Sequence, residues 1–209
     1  MQFVKSFRIV LAGFVASILF GMTLNCYAVA APAQQTAVFA GGCFWGVDAV
    51  FRHVRGVSEV VSGYAGGAAA TANYDAVSTG RTGHAESVRI VFDPATVSYR
   101  QLLDVFFTVA HDPTQLNRQG PDSGTQYRSV IFYTSPEQQA QAKNAIERLT
   151  VARSFSSPIV TQLLPLTQFY PAEKHHQNYL ASHMEQPYIV INDLPKIEQL
   201  RKKFPSLYR

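Results

Sequence analysis

Residues 36–51 read Thr36-Ala37-Val38-Phe39-Ala40-Gly41-Gly42-Cys43-Phe44-Trp45-Gly46-Val47-Asp48-Ala49-Val50-Phe51. The run 36–40 is short and apolar and stops at a glycine pair, the pattern of a buried strand. From Cys43 onward the apolar positions Phe44, Val47, Val50 and Phe51 recur at helical spacing. The glycine pair therefore turns a strand into a helix, and Cys43 falls at the helix start.

Outward from this unit, strands and helices interleave without strict alternation. A second strand is predicted over 56–64, closed by Gly66-Gly67, and then a small, polar loop over 68–84. Residues 85–92 alternate, with Glu86, Val88, Ile90 and Phe92 on one face. Ser98 and Gln101 form a capping-box pattern ahead of a helical stripe of Leu102, Leu103, Phe106, Phe107 and Ala110. A long loop rich in Asp, Pro and Gly follows over 111–126; loops of that length in a domain are usually functional or disordered. A strand over 129–133, a helix opened by Ser135-Pro136, a strand over 158–164 and helices over 173–183 and 193–204 complete the pass. This order predicts an α/β (α+β) sandwich with a mixed sheet, built as a single domain.

The N-terminus has a different character. Lys5 and Arg8 precede an uncharged apolar run over 9–24, and Ala28-Val29-Ala30 supplies a small-x-small cleavage pattern. The expectation is a signal peptide over 1–30, a short leader over 31–35 and the folded domain over 36–209. An uncleaved membrane anchor is the alternative, although the run falls short of the ~20 residues a span requires. Export predicts a periplasmic setting, with no membrane association after cleavage. Lys and Arg number 18 against 14 Asp and Glu, and without Lys5 and Arg8 the balance is 16 against 14. No basic run exists, so nucleic acid is not an expected partner.

Cleavage would remove Cys26 and leave Cys43 as the lone thiol, beside the only Trp of the chain. An ordinary thiol, of pKa ~8.5, is mostly protonated at neutral pH, and a helix N-terminus favours its anion. Phe44 and Trp45 offer an aromatic wall of the kind that suits methyl-thioether groups. Glu86 is either an acid at the rim of the apolar face, with its pKa raised by burial, or an exposed strand-end carboxylate. Tyr74 and Tyr127 are either packed loop aromatics or neutral phenol donors, and Asp122 heads a turn before Tyr127. His175 and His176 are neighbours that do not share a helix face, and no CxxC or HExxH spacing is present, so no metal is expected.

Several motifs occur in order: Gly41-Gly42-Cys43-Phe44-Trp45-Gly46, Asn73-Tyr74-Asp75, Thr82-Gly83-His84-Ala85-Glu86, Gly124-Thr125-Gln126-Tyr127-Arg128-Ser129, and Phe169-Tyr170-Pro171-Ala172-Glu173 with His176-Gln177. Over roughly 36–185 the chain resembles the A-type peptide methionine sulfoxide reductases. The resemblance implies a two-layer α/β sandwich and reduction of the S epimer of methionine sulfoxide in proteins and peptides. It implies that Cys43 attacks the sulfoxide sulfur and becomes a sulfenic acid while Glu86 protonates the oxygen. Tyr74 and Tyr127 would donate hydrogen bonds to that oxygen, Phe44 and Trp45 would hold the methyl group, and Asp122 would order the pocket. No bound cofactor is implied. Many relatives carry further resolving cysteines, but 191–209 has none. The expected reductant is therefore external: a thioredoxin-like donor, glutaredoxin or glutathione, or another small thiol, acting on a monomer. Asp48 stands where Glu is common and His175 where Tyr is frequent.

Two other readings use the same residues. A peroxidase or Cys–His hydrolase would draw its base from His53, His84 or His111, and the hydrolase requires an imidazole hydrogen-bonded to Cys43. An exported methionine-binding module would use the aromatic wall alone and would not need the thiol.

Overall fold

The computed structural model describes residues 33–209 together with Gln2. The expected signal peptide, the cleavage site and Cys26 lie outside the described residues. The elements are β1 (Gln35–Gly41), α1 (Phe44–Arg52), β2 (Val57–Ala65), α2 (Tyr74–Ser78), β3 (Ala85–Phe92), α3 (Tyr99–Val105) and β4 (Arg118–Gln119). They continue with β5 (Asp122–Ser123), β6 (Ser129–Tyr133), α4 (Pro136–Val151), β7 (Gln162–Pro165), β8 (Phe169–Pro171), α5 (Tyr179–Ser182), α6 (Pro187–Asn192) and α7 (Leu194–Lys203).

One sheet has the order β7-β6-β1-β3-β2-β8. Only β6 and β7 pair in parallel; the other neighbours are antiparallel, so the sheet is mixed. Alternation in β1 sends Ala37 and Phe39 to one face, with Val88, Ile90 and Phe92 of β3. Helices α1, α3 and α4 close that face with Val47, Val50, Phe51, Leu102, Leu103, Ala142 and Ala145. Phe39 lies at its centre, 5.6 Å from the Phe51 ring and 4.8 Å from Phe106. Burying each such ring contributes roughly 1.5–3 kcal/mol. The opposite face carries a smaller set, Val38, Ala40, Ala65, Ala85, Val130 and Phe132, covered by Leu166 and Phe169. The expected α/β sandwich is present: a mixed sheet with its helices mainly on one side.

Register then builds one end of this sheet into a site. Gly41 at the end of β1 pairs with Ser129 at the start of β6. Tyr64 near the end of β2 pairs with Glu86 near the start of β3. Antiparallel pairing thus gathers the ends of β1 and β2 with the beginnings of β3 and β6.

The shorter elements depart from the sequence expectations. Tyr74 is not in a loop: Asn73 accepts from the Ala76 N–H at 3.0 Å and caps α2, which is too short to show an apolar period. The 111–126 loop contains the β4–β5 hairpin, whose two-residue strands leave no alternation to read. The strand expected over 158–164 is confined to Gln162–Pro165. The helix expected over 173–183 is broken into a 3-10 turn, Lys174–His176, and α5, with Asn178 left-handed at φ 51 between them. Tertiary bonds cause the break. The Gln177 side chain accepts from the Ser62 N–H and donates to the Ser62 and Ala172 carbonyls, each at 2.9 Å, in place of a strand partner.

Candidate active site

Cys43 sits between β1 and the first turn of α1, partly buried. Gly42 makes the turn at φ +93, where a Cβ would also lie 2.5 Å from the Gln119 side chain. Gly46 lets the C-terminal segment approach, since a Cβ there would meet Asp193 Oδ1 at 2.1 Å and Lys196 Nζ at 2.6 Å. The helix start alone favours the thiolate, and the surroundings outweigh that effect. Burial pushes the Cys43 thiol well above its usual range, and the Glu86 and Asp193 carboxyls add to the shift. The Trp45 backbone N–H pulls the other way without prevailing. The resting group is a neutral thiol.

Glu86 projects from β3 on the same face as Val88, Ile90 and Phe92 and is 2% exposed, at the edge of the core. Its Oε2 accepts the Phe44 N–H at 3.0 Å, which places the carboxyl against the first turn of α1. Burial pushes its pKa up to about 8; Asp122 adds to the rise and the Phe44 N–H opposes it. At neutral pH Glu86 is therefore a carboxylic acid, able to donate a proton.

Tyr74 and Tyr127 both face this centre. Burial and the nearby Glu86 carboxyl raise both phenols, so each stays protonated and available as a donor. Their positions come from turns tied together by side chains. The Gln126 amide donates to the Ser78 carbonyl at 3.1 Å, and Thr125 Oγ1 to the Gly80 carbonyl at 2.6 Å, joining the Tyr127 turn to the end of α2. Arg128 donates to the His84 and Gly83 carbonyls at 3.1 and 2.8 Å, which ties Tyr127 to the residues just before Glu86. Asp122, in β5, accepts from the Tyr188 hydroxyl at 2.5 Å. That bond connects the hairpin to α6.

Trp45 forms the outer wall. Its ring stacks on Tyr179 at 3.8 Å and meets Tyr188 edge-on at 6.1 Å. Phe44 lies deeper, 1% exposed, 5.9 Å from the Tyr64 ring.

Four residues that sequence reasoning did not assign also shape the site. Glu173 accepts from the Tyr64 hydroxyl at 2.8 Å and from the Tyr74 backbone N–H at 2.9 Å, holding β2 and α2 together. His176 packs against Phe44, Trp45 and Tyr74. Tyr188 holds Asp122, and Asp193, fully buried, pairs with Lys196 at 3.2 Å over Gly46. Glu173 and His176 stood in the Phe169–Gln177 motif and could have been found there; Tyr188 and Asp193 carry no local signal. The two departures noted in the sequence fall outside the centre. Asp48 is buried against Arg52 and Ser62, and His175 is exposed, its ring tilted against His176 at 4.1 Å.

The histidines considered as bases are committed elsewhere. His53 Nδ1 meets the Ala49 carbonyl at 2.7 Å. His84 accepts the Gly67 N–H and faces the Ala68 carbonyl. His111 bridges the Phe106 carbonyl and Ser129 Oγ, and burial lowers its pKa to about 4. Among the described residues no imidazole hydrogen-bonds Cys43, which removes the geometric basis of a Cys–His hydrolase. Nor do they contain a group of three or more His, Cys, Asp or Glu able to hold a metal.

A thiol, a carboxylic acid and two phenols around an aromatic wall define a thiol oxidoreductase site. Residues 35–207 match the family model described as peptide methionine sulfoxide reductase. The chain is 58% identical over 179 residues to peptide methionine sulfoxide reductase MsrA 2 of Mesorhizobium japonicum, covering 86% of this chain and 92% of that protein. It is 50% identical over 181 residues to the MsrA 2 of Synechocystis, covering 87% and 85%. The solved structure of methionine sulfoxide reductase A of Corynebacterium diphtheriae matches with a TM-score of 0.67 at 37% identity, over 73% of this chain and 76% of that one. The reduced form of Mxr1 from Saccharomyces cerevisiae matches with a TM-score of 0.69 at 32% identity, over 73% and 87%. The chain belongs to the peptide methionine sulfoxide reductase family.

Proposed function

We propose that this enzyme reduces the S epimer of methionine sulfoxide in proteins and peptides, with Cys43 as nucleophile and Glu86 as acid. Reduction of methionine sulfoxide is the activity of its family. The observation that carries the residue roles is the Glu86 carboxyl, buried, protonated to about pH 8 and held against α1 by the Phe44 N–H.

The sulfoxide oxygen receives the Glu86 proton and hydrogen bonds from Tyr74 and Tyr127, which makes the sulfur electrophilic. Cys43 attacks that sulfur, its own proton passing to the vacated Glu86 carboxylate. The oxygen ends on Cys43 as a sulfenic acid and methionine leaves. Two electrons pass from the thiol sulfur to the sulfoxide sulfur, with no net proton change. Phe44 and Trp45 hold the methyl group, and Asp122, anchored by Tyr188, shapes the polar side. Such reductases divide the two epimers between separate enzymes.

Cys43 is the only free thiol among the described residues. We infer that an external thiol condenses with the sulfenic acid, releasing water, and that a second thiol then frees Cys43 as a disulfide leaves. A thioredoxin-like donor or a small thiol fits this role. The setting we propose is the periplasm, supported by the charge and cleavage pattern of the first thirty residues. N-terminal sequencing of the exported protein should begin at Ala31; a retained Met1 would overturn the export reading. For the activity, turnover of diastereomerically pure peptide sulfoxides with dithiothreitol should occur with the S epimer only and vanish in Cys43→Ser. Equal turnover of both epimers, or full activity in Cys43→Ser, would sink the assignment.

A further inference from the structure

His176 is 4% exposed, at the end of a 3-10 turn on the inner side of the aromatic wall. Its Nδ1 accepts the Trp45 Nε1–H at 3.3 Å. An indole N–H can only donate, so Nδ1 is unprotonated and a neutral ring carries its proton on Nε2. That Nε2 is buried and has no hydrogen-bond partner among the described residues. An orphaned buried donor costs about 1–3 kcal/mol. Leu or Phe would fill the space beside Phe44 and Tyr74 without that cost. What an imidazole supplies there, and they would not, is the acceptor.

We propose that His176 is a positioning residue for the substrate methyl group, acting through the Trp45 indole. Stacking on Tyr179, with planes 6° apart, fixes the tilt of the indole but leaves it free to slide and turn within its plane. The bond to Nδ1 removes that freedom by fixing where the N–H edge points. His176 is itself held between the Tyr74 ring at 4.4 Å and the Phe44 ring at 5.3 Å, and its backbone N–H donates to the Glu173 carbonyl at 2.9 Å. One short turn thus sets the methyl wall and packs against the phenol that faces the oxygen. The inference rests on Trp45 being the methyl wall.

The test compares His176→Asn, which keeps an acceptor near the Nδ1 position, with His176→Leu, which has nearly the same shape and no acceptor. His176→Gln, with its acceptor near the Nε2 position, is the third arm. Because the chain has one Trp, its fluorescence reports Trp45 alone. In His176→Leu and His176→Gln, acrylamide quenching should rise. KM for a peptide (S)-sulfoxide should increase roughly tenfold while kcat changes less than about threefold. His176→Asn should restore both. If His176→Leu does not fold, the Asn–Gln contrast decides alone. Unchanged quenching and KM in Leu or Gln, or an Asn variant as impaired as they are, would overturn the proposal. Increased quenching with unchanged KM would instead overturn the reading of Trp45 as the methyl wall.

Discussion

Cys43 and Glu86 stand at the ends of paired strands, whereas Tyr74, Asp122 and Tyr127 stand on turn-sized elements, a five-residue helix, a two-residue strand and a 3-10 turn, joined by side-chain hydrogen bonds. The first pair inherits its geometry from the sheet: β1 and β3 are neighbours, and their register leaves little freedom. The second set depends on individual contacts, chiefly from Gln126, Arg128, Glu173 and Tyr188. In the mechanism proposed above, the atoms that exchange oxygen and protons would thus lie on rigid backbone, and the groups that steady the oxygen on connections that hydrogen bonds make firm. Substitutions in the strand-borne half should abolish a step. Those in the turn-borne half should weaken it by degrees.

The largest effect belongs to Glu86. Glu86→Gln removes the acid while keeping an acceptor for the Phe44 N–H, so kcat/KM at neutral pH should fall by roughly 10²–10⁴. In the parent enzyme kcat/KM should decline as pH rises through about 8, where Glu86 loses its proton, and the variant should lack that limb. A flat parent profile from neutrality into the alkaline range would break the distinction between the halves at its strongest point. Stability should respond to the substitution with the opposite sign. Glu86 ionises near 4.5 when unfolded but near 8 in the fold. Its contribution to stability is therefore full below 4.5 and lost as pH rises through 8. Glu86→Gln should melt higher than the parent at alkaline pH, by a margin on the order of a few kcal/mol, and equally in acid.

Next come the phenols. Tyr127→Phe or Tyr74→Phe should each cost roughly 10- to 100-fold in kcat, with KM moved less, since each removes one donor to an oxygen that gains charge. A loss as large as that of Glu86→Gln would mean that the turn-borne half carries the proton itself. Smaller still is Glu173→Ala, which breaks the bonds to Tyr64 and to the Tyr74 backbone. It should lower stability by about 1–3 kcal/mol and activity severalfold, read by denaturant melts beside steady-state kinetics. Wild-type stability and activity in this variant would show that α2 is held by packing alone.

The same division explains what could be read from the chain before its fold was known. The strand over 85–92 and the helix after Cys43 are legible because one buried face imposes a period on their residues, and the strand over 129–133 because it is a short run buried almost throughout. Glu86 was ambiguous from pattern alone, and only its neighbours Val88, Ile90 and Phe92 on a closed core face resolve it. The five-residue α2, the β4–β5 hairpin and the broken segment after Glu173 have no period to show; their conformations answer to distant partners such as Gln177 with Ser62. Tyr188 and Asp193 reach the site only because α1 and α7 pack together around Gly46. The protonation of the thiol is hidden for a related reason. Its helix position is local and visible, while the burial and carboxyls that outweigh it come from β3 and the C-terminal segment.

The most direct measurement is a single turnover of the reduced enzyme with peptide (S)-methionine sulfoxide in the absence of any thiol, followed by dimedone trapping and peptide mass spectrometry. The account predicts one methionine formed per enzyme molecule and one dimedone adduct, on Cys43. An intramolecular disulfide, or methionine formed with Cys43 left as a free thiol, would contradict it.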